Sequence, residues 1–366
     1  MKRIAIIEPG DVNHYVAVNS IYKIFKEGND ITIFTNQYVK KNLEEVLDSD
    51  TKYVIKKDNE GFYSFLKNIE KYAFDIIFIT SLHDPHLLFF CLFNPKTRVY
   101  LTIHNANLWF GGFRFGIPES IFYFLRKSWL KKVSGINVDS DDMRGHILKK
   151  WGYPKKINVI PFNVYEGMVD NSKKDKKLHM CIPGNLSTVR RDYLSVFKVI
   201  QQLPGDYKNK LTLELLGRHC EEGSAEIIEK GKELKSGGWD IIFHEEYIPP
   251  NEFDYALSKT DIILGPVKIE YRLYENIHEV YGISKATGVN FAMIRAAKPG
   301  IIPQQLKNIQ ELESSTLYYS SSDDLKDKII RLIEDPSTLN ILKENAKNNS
   351  IYFTPESIRT RLDINL

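Results

Sequence analysis

The chain has 366 residues, 43% hydrophobic and 27% charged, with a formal net charge of +3. That composition excludes a disordered chain, and the length suits two domains of ordinary size. So small a net charge gives no case for nucleic acid as a partner, and Cys91, Cys181 and Cys220 have neither metal-ligand spacing nor the even number of a disulfide framework.

The first residues, MKRIAIIEPGD, predict a buried strand over 3–8 rather than a signal peptide, because the apolar run stops at Glu8 and Pro9. The apolar run at 87–93 is too short to span a bilayer. A reducing, cytoplasmic setting is therefore expected. A helix is predicted over 16–26, and further strands over 31–35, 74–80, 99–103, 135–138 and 158–161. The polar stretch at 170–177, DNSKKDKK, reads as a linker. Beyond it, strands are predicted at 179–183, 211–216, 241–244, 261–264 and 300–302. Helices are predicted at 193–203, 221–234, 251–259, 289–297, 322–334 and 339–348. Strand–helix alternation on both sides of the linker predicts an α/β fold of two doubly wound, Rossmann-like domains facing a central cleft. The boundaries are 1–168 for the N-terminal domain, 169–177 for the linker and 178–348 for the C-terminal domain. A tail over 349–366 is expected to return toward the N-terminal domain.

Open parallel sheets bind ligands beyond the carboxyl ends of their strands, so the residues just after each strand are the candidates. After the first strand come Gly10, Asp11, Asn13 and His14. Two readings stay open there: a capped turn with Asp11 or Asn13 as N-cap, or a loop that a ligand approaches. Two later strand ends release His83 and then His104-Asn105. A neutral imidazole can take a hydroxyl proton or bond a sugar hydroxyl near neutral pH. His104 is the stronger candidate.

Residues 118–133, PESIFYFLRKSWLKKV, predict an amphipathic helix carrying Arg126, Lys127, Lys131 and Lys132. Residues 114–156 hold ten Lys/Arg against four Asp/Glu, a local excess of six. Aromatic residues mixed with bases suit an anionic membrane surface; the alternative is a packed helix with a solvated basic face. After strand 179–183 come Gly184, Asn185, Arg190 and Arg191. Arginines at a helix start oppose the helix dipole, and a bound phosphate would resolve the conflict. Ser284, Lys285, Thr287, Gly288 and Val289 precede the helix 289–297, whose open N–H groups could likewise hold an anion.

Several stretches together resemble the GT-B glycosyltransferases, in particular family 4, over nearly the whole chain. They are Asp139-Ser140 with 152–155 and 157–163, 182–184 with Arg190-Arg191, Leu215-Leu216-Gly217, 260–266 and the last two helices. The resemblance implies a nucleotide-binding C-terminal domain. Arg190 stands where a family lysine meets the donor diphosphate, and Gly217 lies in the donor loop. The family's paired glutamates are altered. Glu279 lies 20 residues before Pro299, farther than in the family, and Ala292 occupies the place of the glutamate held to bind ribose.

The expected function is transfer of a hexosyl or N-acetylhexosaminyl group from a UDP- or GDP-sugar to a glycan or lipid-linked acceptor, in cell-surface polysaccharide or glycoconjugate synthesis. His104 and Asn105 are the catalytic candidates; Gly10, Asp11, Asn13, His14 and His83 are the acceptor-side candidates. Gly184, Asn185, Arg190, Arg191, Gly217, Ser284, Lys285, Thr287, Gly288 and Val289 are assigned to the donor. No metal and no cofactor besides the donor substrate is expected. A catalytically silent GT-B partner or glycan-binding subunit is the alternative, and a sugar-nucleotide epimerase a third.

Overall fold

The apolar runs of the first 160 residues form seven strands: β1 (Arg3–Ile7), β2 (Asp30–Thr35), β3 (Lys52–Ile55), β4 (Ile76–Ile79), β5 (Arg98–Thr102), β6 (Gly135–Val138) and β7 (Lys156–Val159). The computed structural model describes residues 1–10, 14–92, 94–113, 116–172, 177–219, 221–244, 246–362 and 364, apart from the side chains of 89, 90 and 117. The strands are parallel, in the order β3-β2-β1-β4-β5-β6-β7. Successive side chains alternate between two cores, Ile4 and Ile6 facing one and Ala5 and Ile7 the other. Burial on both faces is why these strands read as continuous apolar runs.

The second sheet contains β8 (Leu178–Pro183), β9 (Leu211–Leu216), β10 (Asp240–Phe243) and β11 (Ile262–Leu264). A two-stranded ribbon, β12 (Glu270–Tyr274) with β13 (Ile277–Val280), interrupts the chain before β14 (Gly300–Pro303) and β15 (Thr316–Tyr319) complete the sheet. Its order is β10-β9-β8-β11-β14-β15, again parallel. Strand order reverses between β1 and β4 in one sheet and between β8 and β11 in the other, where such sheets bind ligands.

The chain divides into two compact units. The N-terminal unit comprises 1–164, 272–286 and the segment from Pro355 onward; the other comprises 165–271 and 287–354. Residues 272–286, expected in the C-terminal domain, thus belong to the N-terminal unit. The reason is a set of hydrogen bonds to the helix Ala106–Gly111, whose N-cap, Asn105, makes no side-chain capping bond. Glu279 accepts from the N–H groups of Asn107 (3.2 Å) and Leu108 (2.9 Å). The Ser284 carbonyl accepts from Ala106 N–H (2.9 Å). Three first-turn donors that no helix can satisfy internally are thereby paired by the hairpin segment.

A buried carboxylate also organises the second unit. Glu214, inside the apolar run of β9, is 4% exposed and lies 2.9 Å from His179 Nε2 and 2.8 Å from His244 Nε2. Burial alone would raise its pKa, but the bonds from the two imidazoles outweigh it and bring the carboxyl down to about 2.

Two outcomes follow from these pairings. Glu279→Ala strands two first-turn N–H groups and should cost about 1–2 kcal/mol, with Glu279→Gln intermediate, in urea unfolding of the N-terminal unit followed by Trp109 and Trp129 fluorescence. For Glu214 the folded pKa lies below the model value of 4.5, so its stabilisation is present above about pH 4.5 and is lost as pH falls toward 2. Its size is ~3 kcal/mol at most. Wild-type protein should lose more stability across that window than Glu214→Gln, measured by urea midpoints at each pH.

Candidate active site

The carboxyl ends of β1, β4, β5 and β6 carry one polar cluster in the N-terminal unit. Glu8 follows β1 and is completely buried. Its Oε2 lies 2.5 Å from Thr80 Oγ1, Ser81 Oγ lies 3.0 Å from both carboxylate oxygens, and the Gly10 N–H donates to Oε1 (3.0 Å). Thr80 and Ser81 directly follow β4, so adjacent strands fix this carboxylate from two sides. His14, at the start of the helix Tyr15–Phe25, places Nδ1 3.5 Å from Glu8 Oε2. Burial would raise the Glu8 pKa, but the nearby His14 imidazole and the bonds from Thr80 and the Gly10 amide carry it below its usual value. Glu8 is ionised at neutral pH.

The His14 ring stacks on His104 at 4.6 Å between centroids and lies nearly parallel to His83 at 6.1 Å. His104 Nε2 is 2.6 Å from the Thr80 carbonyl oxygen. A carbonyl only accepts, so Nε2 carries the proton and Nδ1 is the basic nitrogen. Burial drives the His104 imidazole well below its ordinary pKa, and the nearby His14 and Lys285 charges push the same way. Lys285 Nζ donates to Asn105 Oδ1 (2.7 Å). Lys285 and Ser284 were both expected at the donor phosphate in the C-terminal domain. Instead they lie in the N-terminal unit, Lys285 on Asn105 and Ser284 buried against Asn107.

Asp139, after β6, is 2% exposed, and its Oδ1 has no hydrogen-bond partner among the described residues. Burial holds its carboxyl well above the usual range, against the pull of Lys285 and His14. The structure therefore brings His14, His83, His104, Asn105 and Gly10 to one edge and adds Glu8, Thr80, Ser81 and Asp139. Asp11 and Asn13 lie outside the described residues. A usable signal for Glu8 was present: it is the first charged residue after an unbroken apolar strand, where the chain has not yet left the core.

In the second unit the loops after β8 and β9 meet backbone to backbone. Gly184 has φ +96°, and a side chain at Gly217 would overlap the Gly184 carbonyl. Arg191, 9% exposed, lies under this turn. Its Nη1 donates to the Asn185 carbonyl (2.8 Å), and its buried Nε has no partner among the described residues. Arg190 lies outward, its Nε 3.3 Å from Glu221 and its guanidinium 5.4 Å over the Tyr271 ring; Asn185 Nδ2 donates to the same glutamate (3.0 Å). Thr287 caps the helix Gly288–Ala296, accepting from Val289 N–H (3.3 Å). Ala292 is buried in that helix and offers no group to a ribose.

The helix Ile117–Lys132 differs in part from expectation. Trp129 and Leu130 are buried, and so is Arg126 at 1% exposure, bonded to Asp84 Oδ1 (2.5 Å) and the Gly112 carbonyl (3.1 Å). Arg126 is therefore no part of a basic surface. Ile121 and Phe124 are exposed, as are Lys131 and Lys132. No described helix is long and apolar enough to cross a membrane.

No protein-family model and no curated protein sequence matches the chain. Solved structures do match over almost its full length. HepE from Anabaena, in complex with UDP and glucose, aligns with a TM-score of 0.68 at 13% identity, covering 99% of this chain and 98% of its own. A glycosyltransferase from Rickettsia africae aligns at 0.65 and 15% identity, covering 98% and 96%. A Listeria monocytogenes chain named as a UDP-N-acetylglucosamine 2-epimerase aligns at 0.60 and 11%, covering 98% and 94%. At such identities the likeness establishes the fold alone: two Rossmann-like parallel-sheet units of the GT-B type.

Proposed function

We propose that the chain is a glycosyltransferase that moves a hexosyl or N-acetylhexosaminyl group from a nucleoside diphosphate-sugar to a hydroxyl of a glycan or lipid-linked acceptor. The observation that carries this reading is the buried arginine under the Gly184 turn. Arg191 is held by the Asn185 carbonyl, with no carboxylate paired to it among the described residues, at the switch point of a parallel sheet. A buried cation so placed is suited to a diphosphate. Arg190, Asn185, Gly217 and the Thr287–Gly288–Val289 helix start would complete the donor side and stabilise the charge on the leaving diphosphate, a task that falls to a metal ion in other transferases. The UDP and glucose held by a structural neighbour favour uridine diphosphate over guanosine diphosphate. The N-terminal cluster around Glu8, His14 and His104 would receive the acceptor. Synthesis of a cell-surface polysaccharide or glycoconjugate, in the cytoplasm at an anionic membrane, is the setting that suits a lipid-linked acceptor.

One observation favours a second reading. Glu279 is spent as a helix cap and Ala292 carries no acid. A protein that binds nucleotide and glycan without turnover would tolerate both.

Calorimetric titration with UDP and GDP separates the readings. Micromolar binding is expected, weakened at least tenfold in Arg191→Ala and to a smaller extent in Arg190→Ala. Binding by neither nucleotide, or binding indifferent to both arginines, would sink the transferase. Donor consumed with no acceptor present and recovered as an isomeric nucleotide-sugar would mark an epimerase, and binding without any turnover the silent partner. Sedimentation with phosphatidylglycerol vesicles should retain wild type and lose the Lys131→Glu/Lys132→Glu double variant; equal retention of both would refute the membrane contact.

A further inference from the structure

The ends of β5 and β6, neighbours in the N-terminal sheet, gather hydrogen-bond donors around one position. Asn105, after β5, spends its side-chain oxygen on Lys285 Nζ (2.7 Å) and not on capping the helix it precedes. That bond fixes the amide, and its Nδ2, which can only donate, has no partner among the described residues. Asp139, after β6, is 2% exposed, and its Oδ1 has no partner among the described residues either. Burying a polar group without a partner costs free energy that a ligand atom can recover. Lys285 acts on both residues: it bonds Asn105, and its charge is the first to pull on Asp139. The sheet itself supplies no such cation there; the segment after β13 delivers it.

We propose, resting on the glycosyltransferase reading, that Lys285, Asn105 and Asp139 form an anion-binding subsite of the N-terminal unit, and that its acceptor carries an acid group, either carboxylate or phosphate. Lys285 supplies the charge and Asn105 Nδ2 a neutral N–H donor. Burial biases Asp139 toward its protonated form, against the pull of Lys285 and His14, and that form adds an O–H donor. A group with several accepting oxygens and no proton to give matches such a set. A neutral sugar hydroxyl uses it less completely, because it must also donate.

The two other acids of this region are turned away from a ligand. Glu8 and Glu279 are completely buried. Thr80, Ser81 and the Gly10 amide occupy the oxygens of Glu8, and the Asn107 and Leu108 amides those of Glu279. The imidazoles of His14, His83 and His104 add no negative charge in either protonation state. A bound anion in turn makes ionisation of Asp139 harder, so ligand and proton stabilise each other.

The test is calorimetric titration of the full chain, with UDP held at saturation so that the other unit's arginines are occupied. Methyl glucuronide is compared with methyl glucoside, and glucose 6-phosphate with glucose. At least one acid sugar should bind tenfold or more tightly than its neutral counterpart. The glucuronide arm marks a carboxylate-bearing glycan, and the phosphate arm a phosphorylated sugar or lipid headgroup. Lys285→Met should bring acid and neutral sugars within about twofold of each other, and Lys285→Arg should keep the preference. Asp139→Asn, which retains a donor, should keep more of it than Asp139→Ala. Where Lys285→Met fails to fold, Asn105→Ala, at a half-buried loop position, decides by a loss of threefold or more. No binding of either acid sugar, no preference over the neutral ones, or a preference that Lys285→Met and Asn105→Ala leave intact, overturns the subsite. So does a preference that exists only without UDP, since the anion then sits on the donor side. Each of these leaves the transferase reading standing while UDP still binds. A chain that keeps the Lys285-dependent preference but binds no nucleotide retains the anion site and loses that reading.

Discussion

A carboxylate taken wholly out of water must be paired, and the way Glu8 is paired orders the whole ligand edge of the N-terminal unit. Its partners come from the ends of two adjacent strands and from the start of the first helix. Losing any of them would leave an uncompensated charge in a low-dielectric place, a far larger penalty than a lost surface contact. The strand ends are therefore held in register by one group. Thr80 links the next layer, since its carbonyl sets the tautomer of His104 while its hydroxyl serves Glu8.

The hairpin segment 272–286 acts on the same edge from a distant part of the sequence. Glu279 and Ser284 pair the first turn of the helix Ala106–Gly111, which follows His104 and Asn105 directly. Lys285 then reaches Asn105 itself. Capping is worth only about 1 kcal/mol at an exposed helix end, but here the paired groups are half-buried and fix a loop that carries candidate catalytic side chains. An acid spent on backbone N–H groups cannot simultaneously hold a donor sugar, and the β12–β13 hairpin is what carries Glu279 to the helix.

Most strands were legible because parallel strands buried on both faces must be apolar throughout. The exceptions are physical. β3 is an edge strand of one exposed and three half-buried residues, β12 and β13 alternate in burial, and the edge strand β15 has a single buried residue, so none of the four shows a continuous buried run. Lys285 and Thr287 stand two apart in sequence, yet the chain passes from one unit to the other between them; local spacing could not show that. Arg126 was misplaced because its charge was weighed above its position. With Phe122, Trp129, Leu130 and Val133 it completes the inward stripe of its helix, and an arginine can occupy such a stripe when a carboxylate and a carbonyl await it. His14, His83 and His104 were recognisable as strand-end polar residues, but only the fold could show that they stack.

The edge also holds a second carboxyl in the opposite state. Glu8 and Asp139 are both buried, yet one is surrounded by donors and the other has an oxygen with no donor among the described residues. Environments that push two like groups apart in pKa give one the role of acceptor and the other that of donor at the same pH. Glu8 can then only accept, as its bonds from Thr80, Ser81 and the Gly10 amide require. Burial biases Asp139 toward its protonated form, which can donate a hydrogen bond to an oxygen that enters the site. Lys285 and His14 limit how far that state persists, because each lowers the cost of ionising Asp139. The imidazole after β1 and the protonation of the acid after β6 are thus electrostatically linked.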